Sequence, residues 1–396
     1  MLCSTTAGDG HFGPLKVVAR ACAEAGHEVR VAAPESYAGA VRRSGLEQVV
    51  FADVPSQVLG PVWAGLADLG WEEANETVMR EVFGRLDAQH ALPALRAAVE
   101  AWRPDVILRD PAELASLAAA EVTGTPHAEV AIGVGALEVW AQALLAAPLA
   151  ELDALVGLSD GQLLAAMAAA PVFTSVPASV DGTVGRSRTA GGEPRPVIRY
   201  RASSDGDTVK RPQLPAGWGD PDLPLVYVTF GTVAAGLAPF GGVFESALAA
   251  LAELPVRVLL TTGHAGGFEV ARPWAANAHV EKFWPQDEVM PFADAVVGHG
   301  GFGTTLAALR AGVPQVIVPL FTTDQDLNAD RVVAVGAGVR LHGGPSAVSQ
   351  LGPAVARVLA DAEIRRRARD VATEIAALPR AAQIVREIER LARRGR

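Results

Sequence analysis

Residues 296–312, VVGHGGFGTTLAALRAG, combine the types that can hold an anion. An apolar, β-branched run breaks into glycines, and Thr304 and Thr305 lead into strong helix formers closed by Gly312. That is the pattern of a strand, a tight turn and a helix. Gly300, Gly301 and Gly303 lack the Cβ atoms that would keep a charged group from the N–H groups opening the helix, where the macrodipole favours negative charge. A diphosphate fits such a turn. Taken alone, the glycines fit a plain strand-to-helix turn equally well. His299, directly before them, and the segments FWPQDEVM (283–290) and PLFTTDQDLNADR (319–331) add polar and aromatic groups that converge on the same place.

Such a turn needs a sheet to hold it. Short apolar runs alternate with alanine-rich helical patterns: LCSTT, a helix through 13–25, EVRVAAP, DVILRD, a helix through 112–123 and PHAEVAIG. After a looser stretch the rhythm restarts with LVYVTFGT, a helix through 244–254, VRVLLTTG, HVEKFW, ADAVVGHGG and PQVIVPL. This alternation predicts an α/β protein with parallel, doubly wound sheets, whose ligands sit beyond the carboxyl ends of the strands. Gly, Pro, Ser and Asp concentrate at about 178–223, which marks an interdomain linker. The expected domains are 1–200 and 208–378, with a last helix over 379–396.

The motifs PLVYVTFGT (224–232), FWPQ, HGGFGTTLAALRAGVPQVIVPL and DQDLNADRV, with GDGHFGPL (8–15) and PDVILRDP (104–111), resemble those of the family-one glycosyltransferases, in particular the bacterial branch that decorates natural products. The resemblance spans nearly the whole chain and is densest in its second half. It implies the GT-B architecture, two Rossmann-like domains facing each other across a cleft, with the last helix crossing back to the first domain. It also implies transfer of a hexose or deoxyhexose from a UDP- or dTDP-sugar to a hydroxyl of a small-molecule acceptor. A nucleotide-sugar epimerase or hydrolase, or a non-catalytic helper of the same fold, is the alternative.

A nucleotide sugar carries its own leaving group, so the protein must activate the acceptor and stabilise the departing diphosphate. His11, in the glycine loop after the first strand, suits a general base because imidazole titrates near neutral pH. A loop histidine bonded only to backbone is the plainer reading. The resemblance places the family's catalytic histidine at His11 and its dyad aspartate at Asp110, which ends PDVILRD. A carboxylate there fixes the tautomer and stabilises the imidazolium. Asp105 opens the same strand and lies away from its carboxyl end.

The donor residues follow by resemblance. Phe283 would stack on the nucleobase where the family usually has tryptophan, with the adjacent Trp284 able to compensate. Gln286 would reach the ribose or base edge. His299 and the N–H groups of Gly301 to Thr304 would bind diphosphate, helped by the Thr304 hydroxyl and by Thr232 from a neighbouring strand. Asp324 and Gln325 look like the family's pair that bonds hexose hydroxyls, although Asp is also a preferred cap for a helix through 327–335. Trp63 and Trp71, in an aperiodic stretch at 54–89, and Trp140 suit a flat, apolar aglycone or plain core.

Composition narrows the alternatives. The chain has 396 residues, half of them hydrophobic, with a net charge of −10, which argues against a general nucleic-acid binder. Two cysteines, Cys3 and Cys22, give no disulfide framework, so cytoplasmic residence is expected. The start lacks a signal-peptide pattern, and the apolar tract 128–149 is broken by Glu129 and Glu138, so no membrane span is expected. Three D-x-D triplets, 205–207, 220–222 and 324–326, are of the kind that holds a divalent cation on a diphosphate in a different fold. With a histidine and a helix terminus at the anion site, no metal and no cofactor beyond the nucleotide sugar are expected. In-line displacement with inversion then follows as the simplest route. A homodimer is compatible with this reading.

Overall fold

The computed structural model describes residues 1–66, 68–182, 194–202, 214–231, 242–263 and 274–394. They form two compact units. The first comprises residues 1–176, 194–202 and 378–394, and the second begins with Pro177–Gly182 and runs to Ala377.

In the first unit, seven parallel strands lie in the order β3-β2-β1-β4-β5-β6-β7. They are β1 (Leu2–Ser4), β2 (Arg30–Pro34), β3 (Glu47–Phe51), β4 (Ile107–Arg109), β5 (His127–Val130), β6 (Val172–Thr174) and β7 (Val197–Arg199). In the second, six parallel strands take the order β10-β9-β8-β11-β12-β13. These are β8 (Leu225–Thr229), β9 (Arg257–Thr261), β10 (Ala278–Glu281), β11 (Ala295–Gly298), β12 (Gln315–Ile317) and β13 (Gly338–Arg340). Both orders reverse direction once, between β1 and β4 and between β8 and β11. A reversal leaves the loops beyond the strand ends diverging, which is where open parallel sheets accept ligands.

The central strands are buried along their length because helices cover both faces, and they are apolar up to their carboxyl ends, where Ser4, Arg109 and Thr229 stand. Cys3 faces a core that includes Leu15, Val18 and Ile384, whereas Leu2 faces one with Leu95, Leu117 and Leu149. In β8, Val226 and Val228 pack toward Phe244 and Leu251, while Leu225 and Tyr227 pack toward Ala308 and Val313. The Ala381–Arg393 helix supplies Ile384, Val385 and Ile388 to the core of the first unit.

Several expectations need correction. The stretch 178–223 contains ordered elements and is not wholly a linker. Its start, the Ala178–Asp181 helix, groups with the second unit because Arg331 donates to the Val180 carbonyl at 2.6 Å and to that of Ser179 at 3.3 Å. Further on, β7 completes the first sheet. The first helix runs Asp9–Glu24, so His11 stands in its opening turn and not in a loop. Residues 54–89 are mostly helical: Ser56–Leu66, Trp71–Thr77 and a π-helical stretch Val78–Asp87. The Gly135–Val156 helix is long and apolar enough, by length and composition alone, to cross a membrane. Here it contributes Leu145, Leu149 and Leu152 to the core, and Glu138 in its first turn is buried and pairs with Arg195.

Candidate functional site

Parallel pairing sets Ser4 opposite Arg109, so the chain beyond β1 and the chain beyond β4 emerge side by side at the reversal of the first sheet. Asp110 follows Arg109 directly and donates its backbone N–H to the Ser4 carbonyl at 3.0 Å. Its side chain is fully buried. Oδ2 accepts the Thr6 N–H at 2.8 Å, and Oδ1 accepts the Ala112 N–H at 2.7 Å. His11, 99 residues earlier, sets Nδ1 3.2 Å from the same Oδ1 with its side chain 21% exposed. Burial pushes the Asp110 carboxyl upward, but the His11 imidazole and the two backbone N–H groups outweigh it and hold the carboxyl below its usual range. An ionised Asp110 makes Nδ1 the protonated nitrogen of His11 and leaves Nε2 as the ring's proton acceptor. Asp105 precedes β4, at the opposite end of that strand.

Side chains that sequence reasoning missed brace this pair. The Phe83 ring, from the π-helical stretch, lies 5.7 Å from the His11 ring at 43°. Tyr37 donates to Asp9 Oδ1 at 2.5 Å. Arg109 is buried, donates to the backbone carbonyls of Asp110 and Pro111, and pairs with the buried Glu129 at 3.2 Å. Glu113 accepts from the N–H groups of Ala115 and Ser116, and burial raises its pKa. Asp87 is pushed up to about 6 by burial and by the neighbouring Glu113 and Asp53 carboxylates.

The second unit builds its turn at the equivalent reversal. β11 ends at Gly298, and the Phe302–Ala311 helix opens with Gly301 as its N-cap and no side-chain cap. The first-turn N–H groups are therefore available to an anion. The three glycines do different work. A Cβ on Gly300, whose φ is +92°, would stand 2.6 Å from the Gln325 carbonyl oxygen; one on Gly301 would stand 2.5 Å from His299 Nε2. A Cβ on Gly303 would meet no protein atom within 4 Å. Two glycines thus seat the histidine and the next helix, and only Gly303 borders open space.

His299 itself is wedged between Gly301 and Gly231, whose added Cβ would lie 2.7 Å from the ring. Burial lowers its pKa to about 4, against the opposing pull of the Thr229 carbonyl. It is a neutral hydrogen-bonding ring at pH 7, not a standing cation. Gln286 donates Nε2 to the Thr304 hydroxyl at 2.8 Å, joining the expected base-edge residue to the expected phosphate residue. Phe283 is 51% exposed, whereas Trp284 packs against the core that includes Val289 and Met290.

Gln325 is buried, and its Oε1 accepts the N–H groups of Leu320 and Phe321 at 2.8 and 3.2 Å, so its amide oxygen holds the β12 turn. The helix there is Thr323–Ala334 with Thr322 as N-cap, which corrects the capping role read for Asp324. Asn328 donates to the Gly300 carbonyl at 2.9 Å and ties this helix to the anion turn; it went unrecognised although it lies one turn beyond Asp324. Asp326 is paired with Arg340. Thr232 and the triplet 205–207 lie outside the described residues. Trp63 and Trp71 are 48% and 49% exposed, and Trp140 is half-buried. Among the described residues no group of three or more His, Cys, Asp or Glu is arranged to hold a metal ion.

Known proteins are similar along nearly the whole chain. Residues 20–181 match the erythromycin biosynthesis protein CIII-like N-terminal domain, and residues 245–391 match its C-terminal domain. L-demethylnoviosyl transferase of Streptomyces niveus is 30% identical, with 96% of this chain and 94% of that protein covered. The glycosyltransferase SnogD of Streptomyces nogalater superposes with a TM-score of 0.74 at 25% identity, over 98% of both chains. SsfS6 of Streptomyces sp. SF2575, solved with thymidine diphosphate, gives a TM-score of 0.73 at 26% identity, covering 98% of this chain and 99% of that one.

Proposed function

The chain belongs to the erythromycin biosynthesis protein CIII-like family of nucleotide-sugar glycosyltransferases, and we propose that it transfers a deoxyhexose from a dTDP-sugar to a hydroxyl of a natural-product aglycone. The observation that carries the catalytic part is the His11–Asp110 pair: a half-buried imidazole held at 3.2 Å by a fully buried, ionised carboxylate at the reversal of the first sheet. His11 Nε2 takes the acceptor proton, and Asp110 stabilises the resulting imidazolium. The acceptor oxygen forms its bond to the anomeric carbon as the bond to diphosphate breaks on the opposite face, which inverts the configuration.

The uncapped helix start at Gly301, the His299 ring and the Thr304 hydroxyl bind the diphosphate as its charge grows. Phe283 stacks on the base. The thymidine diphosphate bound to SsfS6 favours dTDP over UDP. The engagement of Asp326 with Arg340 supports a donor site that works without a metal. Asp324 stays assigned to the sugar hydroxyls, and the Gln325 contribution is confined to its Nε2 because Oε1 holds the turn. Trp63 and Trp71 are assigned to the acceptor by their exposure.

Thermal denaturation with dTDP, UDP and GDP, with and without EDTA, tests the donor half. Stabilisation by dTDP that EDTA leaves intact is expected. A shift with UDP or GDP alone overturns the donor base, and loss of the shift in EDTA overturns metal independence. Mass spectrometry of dTDP-deoxyhexose incubated with a panel of flat, apolar, hydroxyl-bearing natural products then reads the transfer itself.

A further inference from the structure

Beyond the pair itself, we propose that Tyr37 is a positioning residue for His11, acting by clamping the first turn of the helix on which His11 stands; this rests on the assignment of His11 as the base. The helix opens at Asp9 after Gly8, whose φ is +135° and which offers no side chain to cap it, so the first turn closes locally through the Gly8 carbonyl, which accepts the His11 and Phe12 N–H groups at 3.2 and 3.0 Å. Gly10 precedes His11 and Gly13 follows it two positions on, and a Cβ on either would touch nothing within 4 Å, so these two positions add no packing of their own to the turn. Asp110 fixes one ring nitrogen but does not hold the backbone that carries it.

Tyr37 grips this turn on both sides of His11. Its hydroxyl donates to Asp9 Oδ1 at 2.5 Å, and its ring meets that of Phe12 edge-on, 6.0 Å between centroids at 82°. Phe12 is buried in the core, so the clamp joins an exposed carboxylate two residues before the histidine to a core anchor one residue after it. Burial, and then the bond to Asp9, hold the hydroxyl protonated and hence a donor across the working pH range. Tyr37 itself stands just beyond β2, at the strand end beside β1. The bond is long-range, between residues 28 apart, so it ties a neighbouring strand's loop to the base-bearing turn.

The experiment uses the full chain labelled with ¹⁵N-histidine, the His11 signals being identified by their absence in H11A. In the unaltered protein His11 is expected to show one dominant Nδ1–H tautomer. Tyr37→Phe and Asp9→Asn are expected to mix in the second tautomer and to speed Nδ1–H exchange with water by roughly tenfold, the scale of one lost hydrogen bond to a charged group. The other histidine signals and the dTDP-induced thermal shift should stay as they were, which shows the variants folded. His11 signals identical in Tyr37→Phe and the unaltered protein overturn the clamp, as does an equal disturbance of all histidines. Failure of the catalytic reading appears elsewhere, as sugar transfer retained by H11A, and leaves the NMR result standing.

Discussion

His11 and His299 both stand beside the reversal of their sheet, yet on opposite sides of it: His11 lies in the helix after β1, whose counterpart is β8, whereas His299 directly follows β11, whose counterpart β4 leads into Asp110. Their environments make them opposites. His11 is paired with a buried ionised carboxylate and keeps part of its ring exposed. His299 is wedged between two glycines with its pKa lowered by burial to about 4, so it acts as a neutral group. One residue type beside two such reversals becomes a base or a fixed hydrogen-bonding wall according to which strand it follows and what is packed beside it.

The contrast is broken most directly at the dyad. His11→Ala and Asp110→Asn are each expected to lower kcat by ~10²–10⁴ while the dTDP-induced thermal shift survives, because both residues belong to the unit that lacks the donor turn. Loss of dTDP binding in either variant would merge the two roles. Steady-state kinetics beside thermal denaturation provide the check.

A second test separates the glycines. Gly300→Ala is expected to destabilise the fold by about 2 kcal/mol or more, since φ is +92° and the new methyl meets a carbonyl oxygen at 2.6 Å. Gly303→Ala is expected to leave urea stability unchanged or raise it by up to about 1 kcal/mol, and yet to weaken dTDP binding, because its methyl enters the open side of the turn. Tight dTDP binding by Gly303→Ala would remove the diphosphate from that face.

The third test is pH. The His299 pKa falls from 6.5 in the unfolded chain to about 4 in the folded one, so both states are neutral above 6.5 and the group has no effect there. As pH drops toward 4 the unfolded chain takes the proton first, and stability falls by up to about 3 kcal/mol. Urea titrations at pH 7, 5.5 and 4.5 should show a shallower loss in His299→Gln than in the unaltered chain. Asp110 has the depressed-carboxylate sign: its contribution is full above the ordinary carboxylate range and is lost as pH falls below it, so Asp110→Asn should lose less stability than the unaltered chain when the titration is carried below about pH 4. The smallest effect is expected from Trp71→Ala, within ~0.5 kcal/mol of unaltered stability because the ring is 49% exposed. A larger loss would return Trp71 to the core and withdraw it from the acceptor.

The repeating strand–turn–helix order was legible because short apolar runs and helix formers announce themselves locally. Residues 54–89 were not, since a π-helical stretch turns with i→i+5 bonds and its inward residues fall out of the 3.6-residue phase by which helices are read. Phe83 was therefore invisible beside His11. Tyr37 and Asn328 were missed for a different reason: each bonds to a residue 28 positions away, and nothing in the flanking residues marks it.

By itself the sequence determined the two α/β halves, the glycine turn before the 302–311 helix and the family to which the chain belongs. Those rest on backbone preferences and residue types within a few positions of one another. Tertiary structure decided which glycine faces open space, that Gln325 holds a turn, that His299 stays neutral and that His11 meets Asp110 across 99 residues. Each depends on which strand lies beside which, and proton affinity is set by burial and neighbouring charge, quantities that exist only once the sheet has formed.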